Sequence, residues 1–190
     1  MHKVLSAASV GSVGDLARIA RLLADREVNI DAIGGGEAAV LGGTAGIISM
    51  LISRDDETAE EEAATLDEIV EELRALQLDG GRTLADVQAY EALDVELDDR
   101  PGQLADAAAL ISGQGINIMS VMSVDVHANW AAVSLAFESA DARDQARELL
   151  EGGGFTVMEP HGARRRRRRV TKVLGGQVLK GDHGRDADED

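Results

Sequence analysis

The chain has 190 residues, 44% of them apolar but only 2% aromatic, so a core must be built from Ala, Val, Ile and Leu. It has no cysteine, which excludes disulfides and thiolate metal sites. It also has no long apolar run and no apolar signal region, so a soluble cytoplasmic protein is expected. The formal net charge of −16 disfavours binding to nucleic acid or an anionic membrane and, with few lysines, points to a salt-adapted cell.

Residues 3–10 predict a first strand. Leu16, Ile19, Ala20 and Leu23 then recur at helical spacing and predict a helix. A second strand is expected near 30–39 and a third near 46–53. Gly34-Gly35-Gly36 and Gly42-Gly43 match neither a Walker nor a dinucleotide loop and predict a flexible hairpin or lid over a pocket. Leu66, Ile69, Val70 and Leu73 share one face of an acidic helix over roughly 57–77. A fourth strand near 84–91 leads almost directly into the next segment, too short a connection for a flexible linker.

Leu93, Val95 and Leu97 alternate with Asp94, Glu96 and Asp98, the pattern of a half-buried strand with its acids toward water. Asp99-Arg100-Pro101-Gly102 breaks it, because Pro fixes its own φ and Gly permits conformations that other residues resist. Leu104, Ala107, Ala108 and Ile111 mark the apolar face of a helix ended by Gly113 and Gly115. Strands follow over 116–126 and 131–138, joined through Ala128-Asn129. Ala142, Ala146, Leu149 and Leu150 mark another helix, and Phe155 and Val157 open a last strand.

The two halves are similar to each other. Val13-Gly14-Asp15-Leu16-Ala17 aligns with Pro101-Gly102-Gln103-Leu104-Ala105, and Val28-Asn29-Ile30 aligns with Ile116-Asn117-Ile118 at the same offset. The expectation is an α+β protein of two tandem ferredoxin-like βαββαβ units, residues 1–91 and 92–160. Each would be a four-stranded antiparallel sheet with two helices on one face. The open sheet face must be covered by pairing of units, within the chain or in a homodimer through sheets or helices.

Leu97-Asp98-Asp99-Arg100-Pro101-Gly102-Gln103-Leu104 and Gly115-Ile116-Asn117-Ile118 resemble the two motifs of the ACT family of amino-acid-sensing domains. The resemblance covers about 155 residues as two copies, and is closest to small stand-alone tandem ACT proteins that are predicted regulators of amino-acid metabolism. The first copy departs from the pattern, since Val10-Gly11-Ser12-Val13-Gly14 lacks the acidic residue and the proline. Its site either has different ligand chemistry or has become structural.

Family members bind small ligands, often amino acids, between the first turn and the second strand. The resemblance thus implies a site of Asp99, Gly102, Gln103, Leu104, Asn117 and Ile118, with Gly14, Asp15, Leu16, Asn29 and Ile30 its weaker counterpart. The chemistry suits a zwitterion. Amides at a helix start favour a carboxylate, and glycine lets the ligand approach the backbone. Asn117 has both a donor and an acceptor, and Asp99 attracts an ammonium. Each residue also has a plainer reading. Pro-Gly is often only a turn, Asn117 and Asp99 cap local backbone, and Leu104 belongs first to the core.

No catalytic constellation is found. The four histidines, His2, His127, His161 and His183, are scattered, with no metal-ligand spacing, and there is no serine elbow. No enzyme activity, cofactor or metal is expected. Residues 161–190 read as a flexible tail, six arginines at Arg164–Arg169 followed by an acidic end. They hold nine Lys/Arg against five Asp/Glu, a net +4 that leaves −20 on the body. The run suits self-association or solvation first, docking on a partner protein next, and nucleic acid least, because no aromatic residues interleave with it. The sequence therefore favours an amino-acid-binding regulator that acts on a target enzyme of amino-acid biosynthesis. The alternatives are a ligand-free dimerisation module and a nucleic-acid-associated regulator working through the arginines.

Overall fold

The computed structural model describes residues 2–9, 14–40, 43–54, 58–78 and 81–158. The tail from residue 161 and the first-copy turn residues 10–13 lie outside these. In chain order the elements are β1 (His2–Ser9), α1 (Asp15–Asp25), β2 (Asn29–Val40), β3 (Gly43–Ser53), α2 (Ala59–Ala75) and β4 (Ala85–Asp98). Then come α3 (Gln103–Ser112), β5 (Ser120–Val126), β6 (Trp130–Phe137), α4 (Ala140–Gly152) and β7 (Thr156–Val157). The class is α+β, with an antiparallel sheet.

All the strands join one sheet in the order β2-β3-β1-β4-β6-β5, with β7 also beside β4. The sequence suggests two strands around residues 84–98, and the chain makes one. The earlier part of β4 pairs with β1, from Ala85↔Ala8 to Glu91↔Lys3, and the later part pairs with β6 and β7. No turn-forming residue separates Tyr90 from Leu93, so the backbone continues extended. The glycines at 34–36 likewise lie within β2, paired to Ser49, Ile48 and Ile47, rather than in a loop.

Residue parity along β4 explains the layers. Val87 and Ala89 pack with Ile19 and Leu23 of α1 and Ile69 and Leu73 of α2. Leu93, Val95 and Leu97 pack with Ala107 and Ile111 of α3 and Ala146 and Leu150 of α4. All these β4 residues are odd-numbered, so the four helices among the described residues cover one face. Each large buried side chain contributes about 1.5–3 kcal/mol, which lets an aliphatic core replace the missing aromatics.

The even-numbered residues of β4 face the other way. Ala92 and Tyr90 join Val4, Leu51, Met122 and Ala136 in a third apolar cluster, and the two outer strands β2 and β5 touch. The sheet therefore coils, and part of its helix-free face is covered from within the chain. Asp94, expected on a wet face, is only 2% exposed for this reason. Its Oδ1 lies 3.1 Å from His2 Nε2, a buried link between β1 and β4. The strand expected from Ile116 begins at Ser120, while Ile116 and Ile118 lie ahead of it against the second core.

Candidate functional site

The four helices among the described residues start in two different ways. Thr58 caps α2 through a reciprocal bond with Glu61, and the Ser139 hydroxyl at the start of α4 accepts from the Ala142 amide at 3.2 Å. In contrast, α1 and α3 follow Gly14 (φ 99°) and Gly102 (φ 96°), with no side-chain cap. A Cβ at either glycine would meet nothing within 4 Å, so the left-handed backbone, and not crowding, requires glycine there. These two helix starts thus present first-turn amides without the acceptor that a capping side chain supplies.

The next two positions also correspond. Asp15 and Gln103 are buried, whereas Leu16 and Leu104 are 47% and 44% exposed. Leu104 is therefore not the core residue its spacing suggests, and Leu16 does not line the buried face of α1. The first turn of each helix leaves both leucines in solvent beside the glycine, where an apolar surface can meet a ligand.

Beside the turn before α3 runs a groove of about 600 Å³, lined by Asp98, Arg100, Gln103, Asp106, Leu110 and Phe155 among others. The Gln103 amide, turned so that its oxygen accepts, takes Arg100 Nε at 2.8 Å. Arg100 also lies 3.8 Å from the carboxylates of Asp98 and Asp106. The end of α4 approaches α3 closely here. A Cβ on Gly153 would collide with Leu110 Cδ1.

Of the residues expected to form a site, only Gln103 lines this groove. Gly102 and Leu104 stand at its helix start. Asp99 is exposed, and its amide donates to the Asn129 carbonyl at 2.9 Å. Asn117 is exposed outside the groove and donates to Met119 Sδ at 3.2 Å. Ile118 packs against the second core and Ile30 against the first. The Asn29 amide is engaged by the Asp31 carboxylate. The two asparagines stand at or just before the outer strands β2 and β5, which touch.

The first half has a groove of about 630 Å³ over matching positions of α1, lined by Arg18, Arg21, Leu22, Arg26 and Glu72 among others. Arg18 donates to the Gln77 carbonyl at 2.6 Å, and Arg26 is held by Glu68 and Glu72. Its hydrogen bonds to the carboxylates of Glu68 and Glu72 raise the pKa of Arg26, so its charge is fixed. Three of the ten basic residues within 1–160 thus line this groove, while the second is rimmed by acids around a single arginine.

Sequence reasoning missed Arg100 as a site residue although it lies inside the quoted motif. It also missed the β5–β6 hairpin tip, where His127 stacks on Trp130 with ring centroids 4.0 Å apart. Among the described residues, no group of three or more His, Asp or Glu is placed to hold a metal ion. No helix among them is long and apolar enough to cross a membrane.

No family model and no curated protein matches the chain. Solved structures do. Protein BT0572 from Bacteroides thetaiotaomicron superposes with a TM-score of 0.53 at 19% identity, covering 84% of this chain and 93% of that one. The regulatory subunit of aspartate kinase from Thermus flavus superposes with a TM-score of 0.50 at 14% identity, covering 80% and 91%. Identities this low speak to the fold alone, and the fold is ACT-like.

Proposed function

We propose that the chain is a regulatory protein that binds an amino acid, built of two ACT-type units, 1–91 and 92–160, that share β4. It works as a sensor and not as a catalyst. The observation that carries this reading is the uncapped, glycine-led start of α3 beside exposed Leu104 and a groove with one guanidinium between two carboxylates. The ligand carboxylate takes the first-turn amides, where unpaired donors and the helix dipole favour an anion. Its ammonium meets the acidic rim, and Asn117, brought in from the approach to β5, bridges both ends.

The turn at Gly14 is the weaker counterpart, since its groove is basic and Asn29 is already engaged by Asp31. In this reading the protein acts in the cytoplasm, as a homodimer, on a separate enzyme of amino-acid metabolism, a role in keeping with the regulatory subunit whose fold it shares. The Arg164–Arg169 run is, in this reading, a solvated or self-associating element of the regulator.

A thermal-shift screen of the twenty amino acids, run at high salt on the wild type and on Asn117→Ala, tests the reading. A ligand at about 100 times its Kd stabilises the fold by about 2.7 kcal/mol, about 5–10 °C in Tm for a chain of this size. A selective shift that Asn117→Ala abolishes is expected. No shift with any amino acid overturns the proposal and leaves a ligand-free interaction module.

A further inference from the structure

Half of β4 has a strand on one side only. The Asp94 carbonyl points to β7, accepting from the Met158 amide at 2.8 Å. The Asp99 amide, of opposite parity, donates to the Asn129 carbonyl on the β6 side at 2.9 Å. Odd residues along β4 thus present their backbone groups toward β6, and even ones toward β1 and β7. β6 ends at Phe137, opposite Glu91, where the chain turns into α4. Beside residues 85–90, the lane that β6 would continue holds no strand among the described residues. By the same parity the N–H and C=O of Ala89 point into this lane. The Val87 carbonyl, pointing the same way, accepts from the Arg74 guanidinium at 3.1 Å instead of from a strand.

α2 roofs the lane. A groove of about 450 Å³ runs between them, with Leu66, Val70, Val87 and Ala89 along it and Asp67 and Glu71 exposed at its rim. An open sheet edge beside apolar side chains accepts an extended segment, which gains ladder hydrogen bonds and buries one of its faces. The lane is short, because β6 closes it at Glu91 and the register shifts around Asp86, at φ 49°. It takes about five residues in extended form.

The geometry points to the chain's own Val170-Thr171-Lys172-Val173-Leu174 as the occupant of this lane. Three of these five residues are β-branched, as strands favour, and Arg164–Arg169 directly precede them. Met158 already lies on β4, at Asp94. The twelve peptide steps from Met158 to Val170 reach up to about 40 Å, against about 15 Å along β4 and about 10 Å across it. Antiparallel to β4 like its neighbours, the segment continues the line of β6. Its leading end then brings the arginines to exposed Glu138 and Asp141, where β6 turns into α4. The lane shares no residue with either candidate groove, so its filling is independent of the amino-acid reading.

Amide exchange in the full-length chain tests this, followed at Ala89 and, as controls, at Gln88 and Tyr90, whose amides point to β1. Lys172→Pro combined with Val173→Pro removes two successive amides, so one of them faces β4 in either register. Ala89 is expected to exchange at least about tenfold faster in this variant than in the wild type, with Gln88 and Tyr90 unchanged. Replacing Arg164–Arg169 by serine should speed Ala89 by about threefold, the worth of exposed ion pairs. Equal exchange at Ala89 in the wild type and the double-proline variant overturns the proposal. Protection at Ala89 that is lost on dilution assigns the lane to a second copy and overturns it as well.

Discussion

The turns that open α1 and α3 share a backbone and differ in what surrounds it. Both place glycine in the left-handed region, at φ 99° and 96°, bury the following polar residue and expose the leucine after it. Around that common frame, Arg18 stands where Asp106 stands and Arg21 where Ala109 stands. The comparison separates two demands on one sequence. The strand-to-helix turn requires a glycine backbone in both halves, whereas the surrounding side chains are free to set charge and shape, and they do so in opposite directions.

Matched substitutions in the two halves sharpen this separation. The largest effect belongs to the shared scaffold. Leu23→Ala and Ile111→Ala, at corresponding buried positions, should each cost about 2–5 kcal/mol in urea unfolding. Gly14→Ala and Gly102→Ala should each cost about 1–2 kcal/mol from backbone strain alone, since the added methyl meets no neighbour. Equal costs would confirm the common frame, and only Gly102→Ala should also weaken ligand binding in a thermal-shift titration. Thr58→Ala and Ser139→Ala should lose about 1 kcal/mol each, with ligand affinity unchanged, because those helix starts are capped by side chains. Smallest of all, Asn117→Ala should stay within about 0.5 kcal/mol of wild type in stability while abolishing the ligand-induced shift.

Much of the scaffold was legible because local chemistry dictated it. The glycine turns and the helix faces at Ile19, Leu23, Ala107 and Ile111 follow from periodicity and turn residues, whereas the glycines at 34–36, expected in a hairpin or lid, lie within β2. What failed depends on how far the sheet extends and how it coils. Leu16 and Leu104 fit the apolar spacing of their helices, yet spacing names a side of a helix and says nothing about what lies beneath its first turn. Asp94 fits a solvent-facing alternation, yet the sheet coils until that face meets β1 and His2. The site was legible only in part. Gly102 and Gln103 stand at the groove because they are close in sequence, whereas Phe155 reaches it from beyond α4, a long-range approach that no local signal reveals.

The most direct test of the central claim is an amide spectrum of the uniformly labelled full-length chain, with and without a saturating mixture of the twenty amino acids. The account predicts that the amides of Leu104 and Ala105, in the uncapped first turn of α3, shift more than those of Ala140 and Asp141 in the capped turn of α4. Unmoved amides at Leu104 and Ala105, or shifts centred elsewhere in the fold, would contradict it.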